Sequence, residues 1–291
     1  MSNKTLTVIG ATGNLSVPVI KRLVEKGVSV KAVVRNLDKA KLLLPPAVEL
    51  VYGDVENLAS LNTALAGSEQ VYIHLNTTSL DESLPFHPER DGVKNIVTAA
   101  ENNNVKQLIQ IGGIESLHPE FAVEGLALKT SLIRDQGMSY VKASGIPHTL
   151  LFCSFFADSF PLYVQDKLFA IIGDLKYPLY FTNTNQLANS LYKAIANPDA
   201  CNRSFAIQGR EAMTFPEAAK RFVKHFDPEI AIEQFPIEAI AQMGMPEEQA
   251  MFMEHLMLFV EQLSEQAVAG ESQQVLGEPE MGFDDFIKQL N

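Results

Sequence analysis

The chain has 291 residues, 46% of them hydrophobic and 20% charged, which suits one large core or a core with a companion lobe. Thirty-five acidic against 23 basic side chains leave a formal net charge of −12, and with no basic patch to offset it neither nucleic acid nor an anionic membrane surface is an expected partner. Cys153 and Cys201 are too few for a disulfide framework and resemble no metal site, and no run of about 20 apolar residues occurs, so a reducing cytoplasm, no metal and no membrane span are expected.

In chain order, Leu6–Ile9 reads as a buried strand and residues 14–26 as an amphipathic helix carrying Leu15, Val19, Ile20 and Leu23, stopped at Gly27. A strand at 28–34, a short helix at 37–44 ended by Pro45 and Pro46, and a strand at 48–52 follow. A helix at 58–65 leads to a strand at 71–75, a helix at 92–103 and a strand at 107–111. A helix near 131–143 then enters a strand at 149–152. Strands alternating with helices imply βαβ crossovers, and near-continuous apolar strands such as VYIHL fit burial on both faces. The expected fold is therefore α/β, a doubly wound parallel sheet over residues 1–152. A smaller α+β lobe is expected over 153–291, from which the sheet can take further strands. Within that lobe a helix at 187–196, a strand at 204–208, a helix at 216–225 and one long Met- and Glu-rich helix at 246–269 are predicted.

Charge divides the halves. Residues 1–150 carry 14 basic and 15 acidic side chains, and residues 151–291 carry 9 and 20. An anionic ligand is thus expected on the first half, and the acidic second half is a candidate surface for a protein partner.

The strongest chemical signal is Thr7-Val8-Ile9-Gly10-Ala11-Thr12-Gly13-Asn14-Leu15-Ser16, which leaves the first strand and opens the first helix. Gly10 suits backbone angles that strain other residues, Gly13 lets the main chain approach a pyrophosphate, and the helix N-terminus directs N–H groups at the charge. Ser16 is small enough for close packing of helix on strand. Dinucleotide contacts are expected from Gly10, Thr12, Gly13, Asn14 and Leu15. After the second strand, where an acidic residue would hold ribose hydroxyls, stand Arg35 and, one turn on, Lys39. Two cations there favour a 2′-phosphate, hence NADP(H) over NAD(H). Asp54 and Val55, after the third strand, are placed for the adenine, although Asp54 also suits an N-cap.

These segments resemble the NmrA-like branch of the atypical short-chain dehydrogenases. The resemblance rests on VIGATG at 8–13, VRN at 34–36, GDV at 53–55, SGIPHTLL at 144–151 followed by Phe155-Phe156, and GREAMTFPEAA at 209–219. It spans nearly the whole chain and implies a Rossmann domain, a small substrate lobe and NADP(H). The superfamily's Tyr-x-x-x-Lys pair is not in place: the one such spacing, Tyr163 to Lys167, falls after the sixth strand. Where isoflavone-reductase-like members carry a lysine eleven residues before the glycine of the GIPYT segment, this chain has Arg134, which stays protonated but can neutralise an oxyanion. A serine common at the end of the fifth strand is replaced by Gly112-Gly113.

Among the remaining polar residues, His74 follows the fourth strand at the edge where a nicotinamide would sit, and an imidazole there can act as acid or base. Phe155, Phe156 and Phe160 can line a pocket for a small apolar or aromatic substrate or simply fill a core. Two functions remain open. One is an NAD(P)H-dependent reductase of a small carbonyl, quinone or enone using Arg134 and His74. The other is a non-catalytic NADPH/NADP⁺ sensor acting through a protein partner.

Overall fold

The computed structural model describes residues 4–290. The first half alternates β1 (Thr5–Ile9), α1 (Ser16–Glu25), β2 (Ser29–Val34), α2 (Leu37–Leu43), β3 (Glu49–Tyr52), α3 (Leu58–Ala64), β4 (Gln70–Ile73), α4 (Val93–Asn102), β5 (Gln107–Gly113), α5 (Lys129–Ala143) and β6 (His148–Cys153). Beyond it come β7 (Val164–Gln165), β8 (Leu168–Ile172), α6 (Thr184–Ala194), β9 (Arg203–Ile207), α7 (Phe215–Phe226), β10 (Ala231–Phe235), α8 (Glu247–Glu261), α9 (Gly270–Leu276) and α10 (Phe283–Ile287).

Seven strands form one parallel sheet in the order β3-β2-β1-β4-β5-β6-β9. This is the doubly wound α/β sheet expected from the alternation of strands and helices. Successive strand residues serve opposite faces. Leu6, Val8 and Tyr72 pack beneath α1, α6 and α9, whereas Ile9, Val71 and Ile73 pack against α3, α4 and α5. The chain beyond residue 152 serves two places. α6 and β9 complete the large sheet, and the rest builds a three-stranded sheet, β10-β8-β7, around an aromatic core. Phe160 lies at its centre, with ring centroids 5.0–5.6 Å from those of Phe169, Phe181, Phe215, Phe222 and Phe283.

Two local readings need correction. The helix expected over 246–269 ends at Glu261, and the chain from Gln262 runs as a strap whose backbone bonds to other segments: Ser264 N–H donates to the Phe121 carbonyl (2.8 Å) and Glu265 N–H to that of Pro178 (2.9 Å). The N-cap of α3 is Asn57, whose side chain accepts from Ser60 N–H; the Asp54 side chain accepts from Glu56 N–H, two residues on. Among the described residues no helix is long and apolar enough to cross a membrane.

Candidate functional site

The carboxyl edge of the large sheet opens into a cavity of about 810 Å³. One side is the turn Gly13–Ser16, and the floor is formed by His74–Asn76 after β4 and Ile111–Gly113 at the end of β5. Arg134 of α5 and Glu89 close another side; the segment from Cys153 to Leu162, with Phe156 and Asp158, forms the last. Of the residues singled out from the sequence, Gly13, Asn14, Leu15, His74 and Arg134 therefore meet in one cavity. Gly10 and Thr12 lie in the turn beside it. Arg35, Lys39, Asp54 and Val55 lie outside it, past β2 and β3 on the other side of β1.

The two glycines of the turn have different constraints. Gly10 has φ +86°, and a Cβ there would fall 2.0 Å from the His74 carbonyl oxygen, so glycine is needed for β1 and β4 to pass. A Cβ on Gly13 would meet the Gly10 oxygen and Ser16 Oγ at 3.5 Å, ordinary contact; no contact among the described residues demands glycine at this exposed position. Pro18 sits in the first turn of α1, where its missing N–H costs no helical bond.

Arg35 and Lys39 are exposed, and among the described residues neither side chain has an ion-pair or hydrogen-bond partner. Their neighbour Lys41 pairs with Asp38 at 3.3 Å. Val55 packs against Gly92, and its carbonyl accepts from Asn95 Nδ2 at 2.8 Å, fastening the end of β3 to α4.

Arg134 is not a lone cation. Its Nε donates to Glu89 Oε1 at 2.7 Å, and Nη1 lies 3.9 Å from Glu115 and 3.4 Å from Ser131 Oγ. The Nη2 group has no hydrogen-bond partner among the described residues, and Arg134 lines the cavity. Burial opposes the cation, but Glu89 and Glu115 outweigh it and raise the Arg134 pKa. Glu89 sits on the single π-turn Pro88–Gly92, which α5 approaches so closely that a Cβ on Gly137 would fall 1.8 Å from the Glu89 carbonyl. At Gly113, which ends β5, a Cβ would fall 2.2 Å from the Glu115 carboxylate, which also accepts from the Ser131 hydroxyl.

His74 Nδ1 lies 3.0 Å from Ser16 Oγ and 3.1 Å from the Tyr72 hydroxyl. Burial and the Arg134 charge hold its pKa down at about 4, so the ring is neutral near pH 7. Asp158 accepts from the Thr184 N–H and hydroxyl at the start of α6, yet burial raises its pKa to about 6. Burial raises the Cys153 thiol as well and keeps it protonated. Tyr163 is packed among Phe160, Phe169 and Phe215, and Lys167 pairs with Asp227 at 2.5 Å on the β7–β8 turn. They form no Tyr–Lys pair.

Sequence reasoning missed Glu89, Glu115, Ser131, Tyr72 and Asp158. None belongs to a motif with characteristic spacing; the fold alone brings them to the cavity and its Arg134 wall.

The model of the NmrA-like family matches residues 2–278. The NAD(P)H azoreductase of Xenophilus azovorans is 25% identical over 97% of this chain and 96% of its own length. Among solved structures, an NADPH-dependent quinone oxidoreductase from Escherichia coli complexed with NADPH superimposes with a TM-score of 0.75 at 18% identity, covering 98% of this chain and 99% of that one. The triphenylmethane reductase of a Citrobacter species, complexed with NADP(H), gives 0.74 at 20% identity over the same shares. These structural likenesses establish the Rossmann-type fold.

Proposed function

The chain belongs to the NmrA-like family, and from that premise we propose that it binds a nicotinamide dinucleotide at the glycine turn and reduces a small apolar or aromatic acceptor in the adjoining cavity. The observation that carries the proposal is the cavity itself. It joins the start of α1 to His74, to the Arg134 face and to an apolar wall containing Ile111, Phe156 and Leu162, within the volume range of ligand sites.

The residues present fit the cofactor. Gly13 leaves the backbone of the turn open where no packing requires it, and the turn's N–H groups at the head of α1 suit a pyrophosphate. Arg35 and Lys39 are cations without partners among the described residues, on the β2 side of the turn, and their position supports recognition of a 2′-phosphate, hence NADP(H). When bound, the reduced nicotinamide supplies a hydride. The protein's task is then to exclude water, orient the acceptor and stabilise the negative charge that develops on its oxygen. Arg134, held in place by Glu89, lines the cavity with Nη2 unpaired among the described residues and can provide that stabilisation. The site carries Glu89 and Asp158 alongside Arg134, so a neutral acceptor suits it better than an anionic one.

The test is NADPH oxidation with a panel of quinones, azo compounds and enones. Turnover lowered at least tenfold by Arg134→Ala supports the proposal; no turnover with any acceptor, despite dinucleotide binding, refutes it. One observation favours the sensor as a second reading: Arg134 paired to Glu89 replaces the lysine expected of reductase relatives, and an arginine relays no proton. A sensor requires different affinities for NADPH and NADP⁺, measured by titrating each, and would report through a partner on the acidic second half.

A further inference from the structure

Tyr72 lies within β4, wholly buried, and among the described residues its hydroxyl has one hydrogen-bonding partner, His74 Nδ1 at 3.1 Å. Ser16 Oγ, at the head of α1, reaches the same nitrogen at 3.0 Å. A buried phenol that does not donate leaves its proton unpaired, at a cost of about 1–3 kcal/mol. Tyr72 therefore donates to Nδ1, which must be bare, and the single proton of a neutral imidazole then resides on Nε2. An imidazolium would carry a proton on Nδ1 as well and would orphan the phenol proton. The ring lines the cavity, and no protein group bonds Nε2 among the described residues.

We propose that Tyr72 locks His74 in its Nε2–H tautomer, making it a fixed, neutral hydrogen-bond donor to an acceptor oxygen of the bound ligand and not a proton shuttle. The inference deepens the functional reading above, since it rests on the cavity being the ligand site. The low pKa of His74 agrees with it: burial opposes the imidazolium, and the charged group facing the ring is Arg134 from α5, itself a cation. A neutral donor polarises a carbonyl without giving up its proton, and it selects against a ligand that presents an ammonium or amide N–H at that point.

Long-range proton–nitrogen correlation spectra of the full, ¹⁵N-labelled chain test the proposal directly, with His74 identified through His74→Gln. At pH 7.5 and at pH 5.5 His74 is expected to show a protonated Nε2 and a bare Nδ1. In Tyr72→Phe a share of the population is expected to move to the Nδ1–H form, because Ser16 Oγ can then accept. A wild-type ring protonated on Nδ1 at either pH overturns the proposal, and that measurement does not depend on the variant folding. An unchanged tautomer in a folded Tyr72→Phe overturns the positioning role of Tyr72. Adding NADPH, then 1,4-naphthoquinone as a carbonyl probe, is expected to shift the Nε2–H proton; no shift with either overturns the donor role. Failure to bind NADPH in a parallel titration would instead sink the functional reading, leaving the tautomer result to stand separately.

Discussion

Gly10 and Gly13 stand three residues apart in one turn and answer to different demands. Gly10 serves the fold, since a Cβ would strike the His74 carbonyl and the backbone is left-handed there. Gly10→Ala is expected to cost on the order of 2–4 kcal/mol, from conformational strain plus overpacking, and calorimetry should show the fall in Tm. Gly13→Ala meets only ordinary contacts and should leave folding stability within about 1 kcal/mol of wild type, while equilibrium titration should show weakened dinucleotide binding. Arg35 is exposed and has no ion-pair partner among the described residues, so Arg35→Ala should leave folding alone. It should weaken NADPH by roughly tenfold to a hundredfold, the loss of one charge-assisted contact, with little effect on NADH. Equal weakening of both would remove Arg35 from 2′-phosphate recognition.

At the scale of elements, the strap after α8 shows how tertiary partners override helical periodicity. The Met- and Glu-rich pattern continues past Glu261, but beyond it the backbone finds partners on Phe121, Pro178 and Val123, and the helix stops. Glu265 fastens the strap by accepting from Ser154 Oγ (2.6 Å), Gln208 Nε2 (2.9 Å) and Tyr180 N–H (3.2 Å). Burial outweighs these donors and raises its pKa from 4.5 to about 7. A folded-state pKa above the unfolded one means stability that is fully present below 4.5 and is lost as pH rises through about 7. Urea unfolding at pH 5 and pH 8 should therefore show wild type losing on the order of 2–3 kcal/mol more than Glu265→Gln over that interval. Parallel pH dependence of the two proteins would refute the assignment.

On the scale of the whole molecule, the large sheet and the aromatic core are not separable lengths of chain. α6 packs on α1 and β9 extends the sheet, while Glu265 of the strap after α8 bonds Ser154 and Gln208 at the sheet's edge. One calorimetric transition is expected in place of two. Phe160 joins five rings contributed by four separate segments, so Phe160→Ala should cost about 3–5 kcal/mol and lower that single transition as a whole. Two resolved transitions, with only one moved by the substitution, would show that the two cores unfold separately.

Much of this architecture could be read from local pattern. Apolar runs bounded by turn residues are short-range signals, so β1 to β6, their helices and the glycine turn were legible, as was the family through VIGATG, VRN and GDV. The strand–turn–helix order also located the ligand edge, because a parallel sheet presents all its strand ends together. What could not be read is which side chains meet there. Glu89 and Arg134 are 45 residues apart and Ser16 and His74 are 58 apart, and neither pairing has a spacing that periodicity reveals. Arg134 read as a free cation and His74 as an acid or base; packing paired the one with carboxylates and, through burial, kept the other uncharged. The sequence by itself determined the sheet, the turn and the cations beside it, since these depend on residues near in the chain. Charge state and hydrogen-bond partners in the cavity were decided only by tertiary structure, because desolvation and pairing depend on what the fold brings within a few ångströms.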